Sequence, residues 1–375
     1  MNPMIKNILS LFSLIDTPAL LLDHTCLLNN ISKMQKLADN AAVHLRPHIK
    51  THKSVYIAQK QIEKGAVGIT VAKLGEAEVM SKAGIHDIFI ANQVAHPLKI
   101  HRLFVLHKKI EISIGIDNVE QIRLLNNVFT NPERPLDILI EIDSGFHRCG
   151  VEPGIKLIDL ANTAVREPGL RLKGIFTHAG HVYCANSLSE VQQIGELEAE
   201  IMQKAKALLK AHGIKLDIVS VGSTPTAKYS AKNPEVNEIR PGNYVFYDNF
   251  QLALGSCMLN ECSLFLLATV ISQPANQRIV IDAGSKSLSL DQGAHSSQLV
   301  KNYGKILNIE GEIVQLSEEH GIIHLTQAQK IEIGSPVLIV PNHACSVTNL
   351  FSHYYLFENN RIIKQINIDA RGKSQ

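Results

Sequence analysis

From about residue 19 to residue 250 the chain alternates short apolar runs with amphipathic stretches. The runs Ala19–Asp23, Val43–His48, Gly68–Ala72, Asp87–Ala91, Glu111–Gly115, Asp137–Asp143, Leu172–Thr177 and Asp217–Gly222 predict β-strands. Between them, Thr25–Asn40, Val55–Lys64, Leu74–Ala83, Val119–Phe129, Lys156–Arg166 and Leu188–His212 carry the period of helices with one apolar face. Runs rich in Val, Ile and Leu suit strands buried on both faces, the condition of a parallel sheet. Eight strand–helix units predict an α/β fold, a closed (β/α)8 TIM-type barrel.

After about residue 250 the pattern changes. Leu264–Ser272, Arg278–Asp282, Gly311–Leu316, Ile322–Leu325, Pro336–Val340, His353–Glu358 and Arg361–Ile368 read as strands joined by short turns, and long helical patterns vanish. This predicts a C-terminal, mainly antiparallel β domain. The expected division is a barrel over 19–250 and a β domain over 251–375 packed with 1–18.

Composition narrows the function. A 375-residue chain with formal charge +2 and 19% charged residues has room for two domains and carries no basic footprint for nucleic acid. The apolar stretch Asn7–Ile15 lacks a small-residue cleavage site and reads as a short helix, and nothing is long enough to span a membrane. Six cysteines without paired CxxC spacing point to reduced thiols in the cytoplasm.

The candidate chemistry sits at the predicted strand ends, where barrels gather functional groups. Arg46-Pro47-His48-Ile49-Lys50-Thr51-His52-Lys53 closes an apolar run. A lysine there is partly desolvated, which lowers its pKa and frees the amine as a nucleophile or base; a solvated basic turn is the competing interpretation. Glu141–Gly150 puts Arg148 after another strand, either to bond an anionic oxygen or to pair with Asp143. Phe176–Tyr183 offers His178, His181 and Tyr183 to a flat ring. Gly222-Ser223-Thr224-Pro225-Thr226 and Arg240-Pro241-Gly242-Asn243-Tyr244 are small, polar turns suited to a phosphate. In Pro341-Asn342-His343-Ala344-Cys345, His343 and Cys345 would share one face of an extended strand, and imidazole with thiolate suits Zn²⁺.

These motifs, in this order over nearly the whole chain, resemble the fold-type III pyridoxal-phosphate enzymes, specifically the group of D-threonine aldolases and eukaryotic-type D-serine dehydratases, distant relatives of alanine racemase. The resemblance implies covalent attachment of pyridoxal 5'-phosphate to Lys50, with Gly222, Ser223, Thr224, Gly242 and Asn243 on its phosphate. It puts Arg148 near the phenolic oxygen and Tyr183 beside the ring, with His181 among the ring's neighbours. Arg240 departs from the closer group and matches the arginine that faces the pyridine nitrogen in alanine racemase, where it would weaken the ring as an electron sink. His343 and Cys345 become ligands of Zn²⁺ (or Mn²⁺), and His-x-Cys rather than His-x-Asp leans towards dehydratases.

The implied activity is a lyase on D-β-hydroxy-α-amino acids, D-serine to pyruvate and ammonia, with D-threonine cleavage to glycine and acetaldehyde as the alternative. An amino-acid racemase is a third possibility, supported by Arg240 but without a racemase-type tyrosine motif in the β domain. A non-enzymatic cofactor carrier would lack the second domain. The resemblance also implies a homodimer acting on a small D-amino acid, without nucleic acid or membrane. It leaves open any role of Asp291-Gln292-Gly293-Ala294-His295.

Overall fold

The structure, a computed structural model, describes residues 3–292 and 299–375. Its strands are β1 (Ala19–Asp23), β2 (His44–Leu45), β3 (Ile69–Val71), β4 (Asp87–Gln93), β5 (Glu111–Ile116), β6 (Leu136–Glu141), β7 (Leu170–Phe176), β8 (Ile218–Val221) and β9 (Glu238–Ile239). There follow β10 (Leu264–Ala275), β11 (Arg278–Ile281), β12 (Lys305–Ile306), β13 (Gly311–Leu316), β14 (Gly321–Leu325), β15 (Pro336–Val340), β16 (His353–Glu358) and β17 (Arg361–Asn367). Two compact units divide the chain: Lys33–Lys50, Ile57–Gly242 and Gly372–Gln375 form one, and the segment up to Ser32, Thr51–Tyr56 and Asn243–Arg371 form the other.

The first unit holds an eight-stranded sheet in the order β2-β9-β8-β7-β6-β5-β4-β3. Every pairing in it is parallel. A parallel bridge between His48 and Thr70, with Thr70 N–H donating to Pro47 O at 2.8 Å, joins the two ends of that order. The α/β barrel expected from the alternation is present. Burial is complete in β6, where all six residues are covered, while β2, β5 and β7 each carry one exposed residue.

One strand assignment is corrected. Ala19–Asp23 is no barrel strand: β1 pairs antiparallel with β10 and parallel with β16, in the other unit. A run such as Ala-Leu-Leu-Leu satisfies the interior of either sheet equally well, so its apolarity could not choose between them. The barrel's eighth strand is instead β9, the two residues directly before the polar turn Arg240–Tyr244, which sequence alone does not mark as a strand. Its glutamate misleads because it is buried and paired.

That pair belongs to a charged chain through the barrel. Arg46 Nε donates to Glu238 Oε2 at 2.8 Å and Nη1 to Asp87 Oδ1 at 2.6 Å. Ser220 Oγ donates to Glu238 Oε1 at 2.5 Å. Burial alone would raise Glu238, but the Arg46 charge and these bonds hold it below the ordinary glutamate value of 4.5. Because its folded pKa is depressed, its contribution to stability is present above about pH 4.5 and is lost as pH falls through the folded value. Arg46→Ala strands a buried carboxylate and is expected to cost about 3–5 kcal/mol, read as a lower urea midpoint at pH 7.

The second unit is built on a nine-stranded sheet with the path β13-β14-β11-β10-β1-β16-β17, β15 pairing β10 and β12. Apart from β1 with β16, its pairings are antiparallel. The amphipathic N-terminal helix Pro3–Leu9 and the turn after it put Ile5, Ile8, Leu11 and Ile15 into one core with Leu21, Phe265, Leu267 and Leu338. Among the described residues no helix is long and apolar enough to cross a membrane.

Candidate active site

The barrel delivers its polar groups from one end of the sheet. Lys50 follows β2 in the single turn Ile49–Thr51, and its backbone N–H donates to His48 Nδ1 at 3.3 Å. Arg148 lies after β6, His181 and Tyr183 in the turn Gly180–Cys184 after β7, Gly222–Thr224 after β8, and Arg240 and Gly242 after β9. These are carboxyl ends of parallel strands, where barrel enzymes build their sites.

Arg148 is held by Glu141, not by Asp143. Its Nη2 lies 3.7 Å from Glu141 Oε1, and its guanidinium stands over the Phe146 ring, 5.1 Å from the centroid. Asp143 instead accepts the N–H groups of Gly145 and His147 at 2.9 and 3.0 Å and pairs with His147 Nδ1 at 2.8 Å. Burial opposes the charge on Asp143, but these bonds hold its carboxyl below the ordinary 3.8. His181 reaches the same loop: a side chain at Gly145 would meet its Cε1 at 3.6 Å. Burial lowers the His181 pKa and leaves Nδ1 without a hydrogen-bond partner.

The turn after β8 depends on a residue that the sequence reading missed. Glu198, on the helix Leu188–Ala211, is fully buried. Its Oε1 accepts from Gly222 N at 3.1 Å and Ala179 N at 3.2 Å, and its Oε2 accepts from Ser230 Oγ at 2.7 Å. One carboxylate thus fixes both the 222–224 turn and the end of β7. Gly222 has φ +113°, a conformation that glycine alone adopts without strain, and its N–H is directed back to Glu198. The signal was available: Glu198 falls in the buried stripe of Val191, Gly195, Ala199 and Met202, where an acid needs partners. Glu198→Ala leaves the Ala179 and Gly222 N–H groups without their acceptor, Ser230 Oγ keeping Thr226 O, and is expected to cost about 3 kcal/mol in urea unfolding, with weaker retention of any ligand of the turn.

Arg240 is also buried. Nη1 donates to Ser220 Oγ and Nη2 to Thr177 O, both at 2.5 Å, with Phe176 and Phe89 beneath the guanidinium. Both terminal nitrogens are therefore bonded within the barrel.

The second unit carries Asn243, His343 and Cys345. The strand expected to hold His343 and Cys345 ends at Val340; His343 is the N-cap of the short helix Ala344–Thr348, and Cys345 lies in its first turn. Their nearness comes from the tightness of that turn and not from a shared strand face. Burial works against a charge on His343, but the Cys345 sulfur within hydrogen-bond reach and the Asp291 carboxylate raise its pKa to about 10. Cys345 Sγ lies 3.2 Å from the hydroxyl of buried Thr51, the residue after Lys50. Asp248, four residues beyond the Arg240–Tyr244 motif, organises this part: its Oδ2 accepts from Asn243 Nδ2 at 2.6 Å and from Ala344 N at 2.9 Å. Of the segment left open, Asp291 and Gln292 are described; Gly293-Ala294-His295 lie outside the described residues.

These donors suit the groups implied for them. A barrel lysine at a strand end, a hydroxyl-rich turn and a buried, unpartnered His181 Nδ1 fit a flat phosphorylated ligand with polar ring atoms. Asn243 Oδ1 is likewise buried without a partner. Imidazole beside thiolate, with a carboxylate behind the imidazole, is a donor set for a borderline-soft divalent cation.

A strand-end lysine in a parallel barrel, followed by an antiparallel unit bearing a His–Cys pair, defines an enzyme class with a small-molecule site. Residues 22–249 match the family described as "Alanine racemase, N-terminal domain", and residues 263–357 the one described as "Putative serine dehydratase domain". The chain is 32% identical to a D-serine dehydratase of Dictyostelium discoideum, over 93% of this chain and 95% of that one. It is also 32% identical to a D-threonine aldolase of Arthrobacter, over 96% and 94%. The structure of D-threo-3-hydroxyaspartate dehydratase from Delftia superposes with TM-score 0.89 at 31% identity, covering 95% of this chain and 98% of that one. A cysteine-to-alanine variant of that enzyme is described in a metal-free form. The chain belongs to the alanine racemase N-terminal domain family, within the members that continue into the serine dehydratase domain.

Proposed function

We propose that the chain is a pyridoxal phosphate- and zinc-dependent D-serine dehydratase, converting D-serine to pyruvate and ammonia. The observation that carries this reading is the His343–Cys345 pair, whose sulfur donor favours zinc over the harder cations that carboxylate pairs select. The similarity to a D-serine dehydratase over nearly the full chain supports it. Bound pyridoxal phosphate supplies an electron sink for the substrate's Cα, and a bound divalent cation a Lewis acid for its β-hydroxyl.

The chain's own groups have these roles. Lys50 Nζ would attach the cofactor and would serve as the base for the Cα proton. The 222–224 turn, with Gly242 and Asn243, would hold the phosphate; Arg148 would serve the phenolic oxygen, and His181 and Tyr183 the ring. His343 and Cys345 hold the cation, with Mn²⁺ as a weaker substitute for Zn²⁺. Arg240 favoured a racemase as a partner of the pyridine nitrogen. Here its Nη1 and Nη2 are anchored on Ser220 Oγ and Thr177 O, and Arg240 would stand among the groups around the cofactor ring.

D-Threonine aldolase is the second reading, favoured by the Arthrobacter relative. There the β-hydroxyl would lose its proton and the Cα–Cβ bond would break. We further propose a homodimer in a reducing, cytoplasmic setting, in keeping with six cysteines without paired CxxC spacing.

Metal removal tests the reading. Dialysis against a chelator is expected to abolish pyruvate release from D-serine, and zinc to restore it. Full activity in the chelated, metal-free protein would contradict it.

A further inference from the structure

The polar groups behind His343 form a connected set. Asp291 Oδ2 lies 2.9 Å from His343 Nδ1 and also accepts a short hydrogen bond from Ser346 Oγ. The same segment is stapled from the other side: Asn342 Nδ2 donates to Asn302 O and, at 3.4 Å, to Asp291 O. Asp291 is thus tied to residues immediately before and three after the histidine, and its carboxylate is directed at one ring nitrogen. Among the described residues the convergent triad of metal-ligand side chains is Asp117, Glu141 and Cys149; Asp291 does not converge with His343 and Cys345 as a third ligand. Its place is behind the ring.

We propose that Asp291 is the positioning residue of the metal centre: it accepts the Nδ1 proton of His343, fixes the Nε2-ligating tautomer and holds the ring in its coordinating orientation. This rests on the reading of His343 and Cys345 as metal ligands. A carboxylate behind a ligating imidazole raises the basicity of the other nitrogen and fixes the ring rotation, and losing such a partner typically weakens metal binding by about 10–100-fold. Ser346, donating to the same oxygen, keeps the carboxylate pointed at the ring.

The test is competition for zinc between a chromophoric chelator and the full-length holoenzyme, in the parent protein and in Asp291→Ala and Asp291→Asn, with melting temperatures recorded alongside. The expected result is zinc binding weakened about 10–100-fold in Asp291→Ala and less in Asp291→Asn, whose amide oxygen can still accept the Nδ1 proton. Cobalt(II) substitution adds a readout that a merely structural role would not move. The thiolate-to-cobalt band persists in Asp291→Ala, showing Cys345 still bound, while the d–d bands change with the altered histidine. Equal zinc affinity in all three proteins, with the parent binding tightly, overturns the inference and leaves the function intact. Failure of the parent itself to bind zinc overturns both. If Asp291→Ala does not fold, Asp291→Asn decides: undiminished affinity together with an unchanged cobalt spectrum overturns the proposal.

Discussion

Lys50→Ala is expected to lower kcat for pyruvate formation from D-serine by at least about a thousandfold. On the proposed function two roles would be lost together, the covalent hold on the cofactor and the base for the Cα proton, and positioned proton transfer alone contributes roughly 10²–10⁴-fold. The fold should tolerate the change, because Lys50 is only partly buried and lies in a single helical turn after β2. The absorption of the lysine-linked cofactor should vanish while the far-ultraviolet circular dichroism stays unchanged. Lys50→Arg keeps the charge but forms no such link, so it should be equally inactive. Retention of more than a tenth of the activity by Lys50→Ala would remove Lys50 from the chemistry.

The second large effect is at the metal pair. His343→Ala and Cys345→Ala are each expected to lower kcat about 10²–10³-fold, the several kcal/mol that Lewis-acid assistance supplies at tenfold per 1.36 kcal/mol. Cofactor absorption through Lys50 should remain, which separates this loss from that of Lys50→Ala. The double variant should be no worse than either single one, since two ligands of one ion act as a unit. Additive losses would mean that the two side chains work independently and share no metal.

The sequence revealed the barrel most clearly where apolar residues were dense, as in fully buried β6 and the Ile88–Ile90 centre of β4, because burial on both faces favours a hydrophobic run. It misplaced β1 because the same run is satisfied inside a mainly antiparallel sheet. It overlooked β9 because two residues containing a glutamate carry no strand signal, and the arginine that neutralises Glu238 lies 192 positions away. The site divides in the same way. Groups that would meet a ligand directly, such as Lys50, His343 and Cys345, were named from residue type and neighbours. Groups that act through another residue were not, because their partners are distant in sequence: Glu198 supports Gly222 from a helix, Asp248 links Asn243 with Ala344, and Asp291 faces His343 across 52 positions. Local geometry was the other weakness. His343 and Cys345 were read as strand neighbours, whereas Pro341 follows the end of β15 and the chain turns into a helix.

The most direct test of the whole account is the product ratio in one metal-replete, cofactor-loaded preparation given D-serine and D-threonine in parallel. The account predicts pyruvate from D-serine with a kcat/KM well above that for glycine and acetaldehyde from D-threonine. Glycine and acetaldehyde as the dominant products, with little keto acid from D-serine, would contradict it and make the enzyme an aldolase.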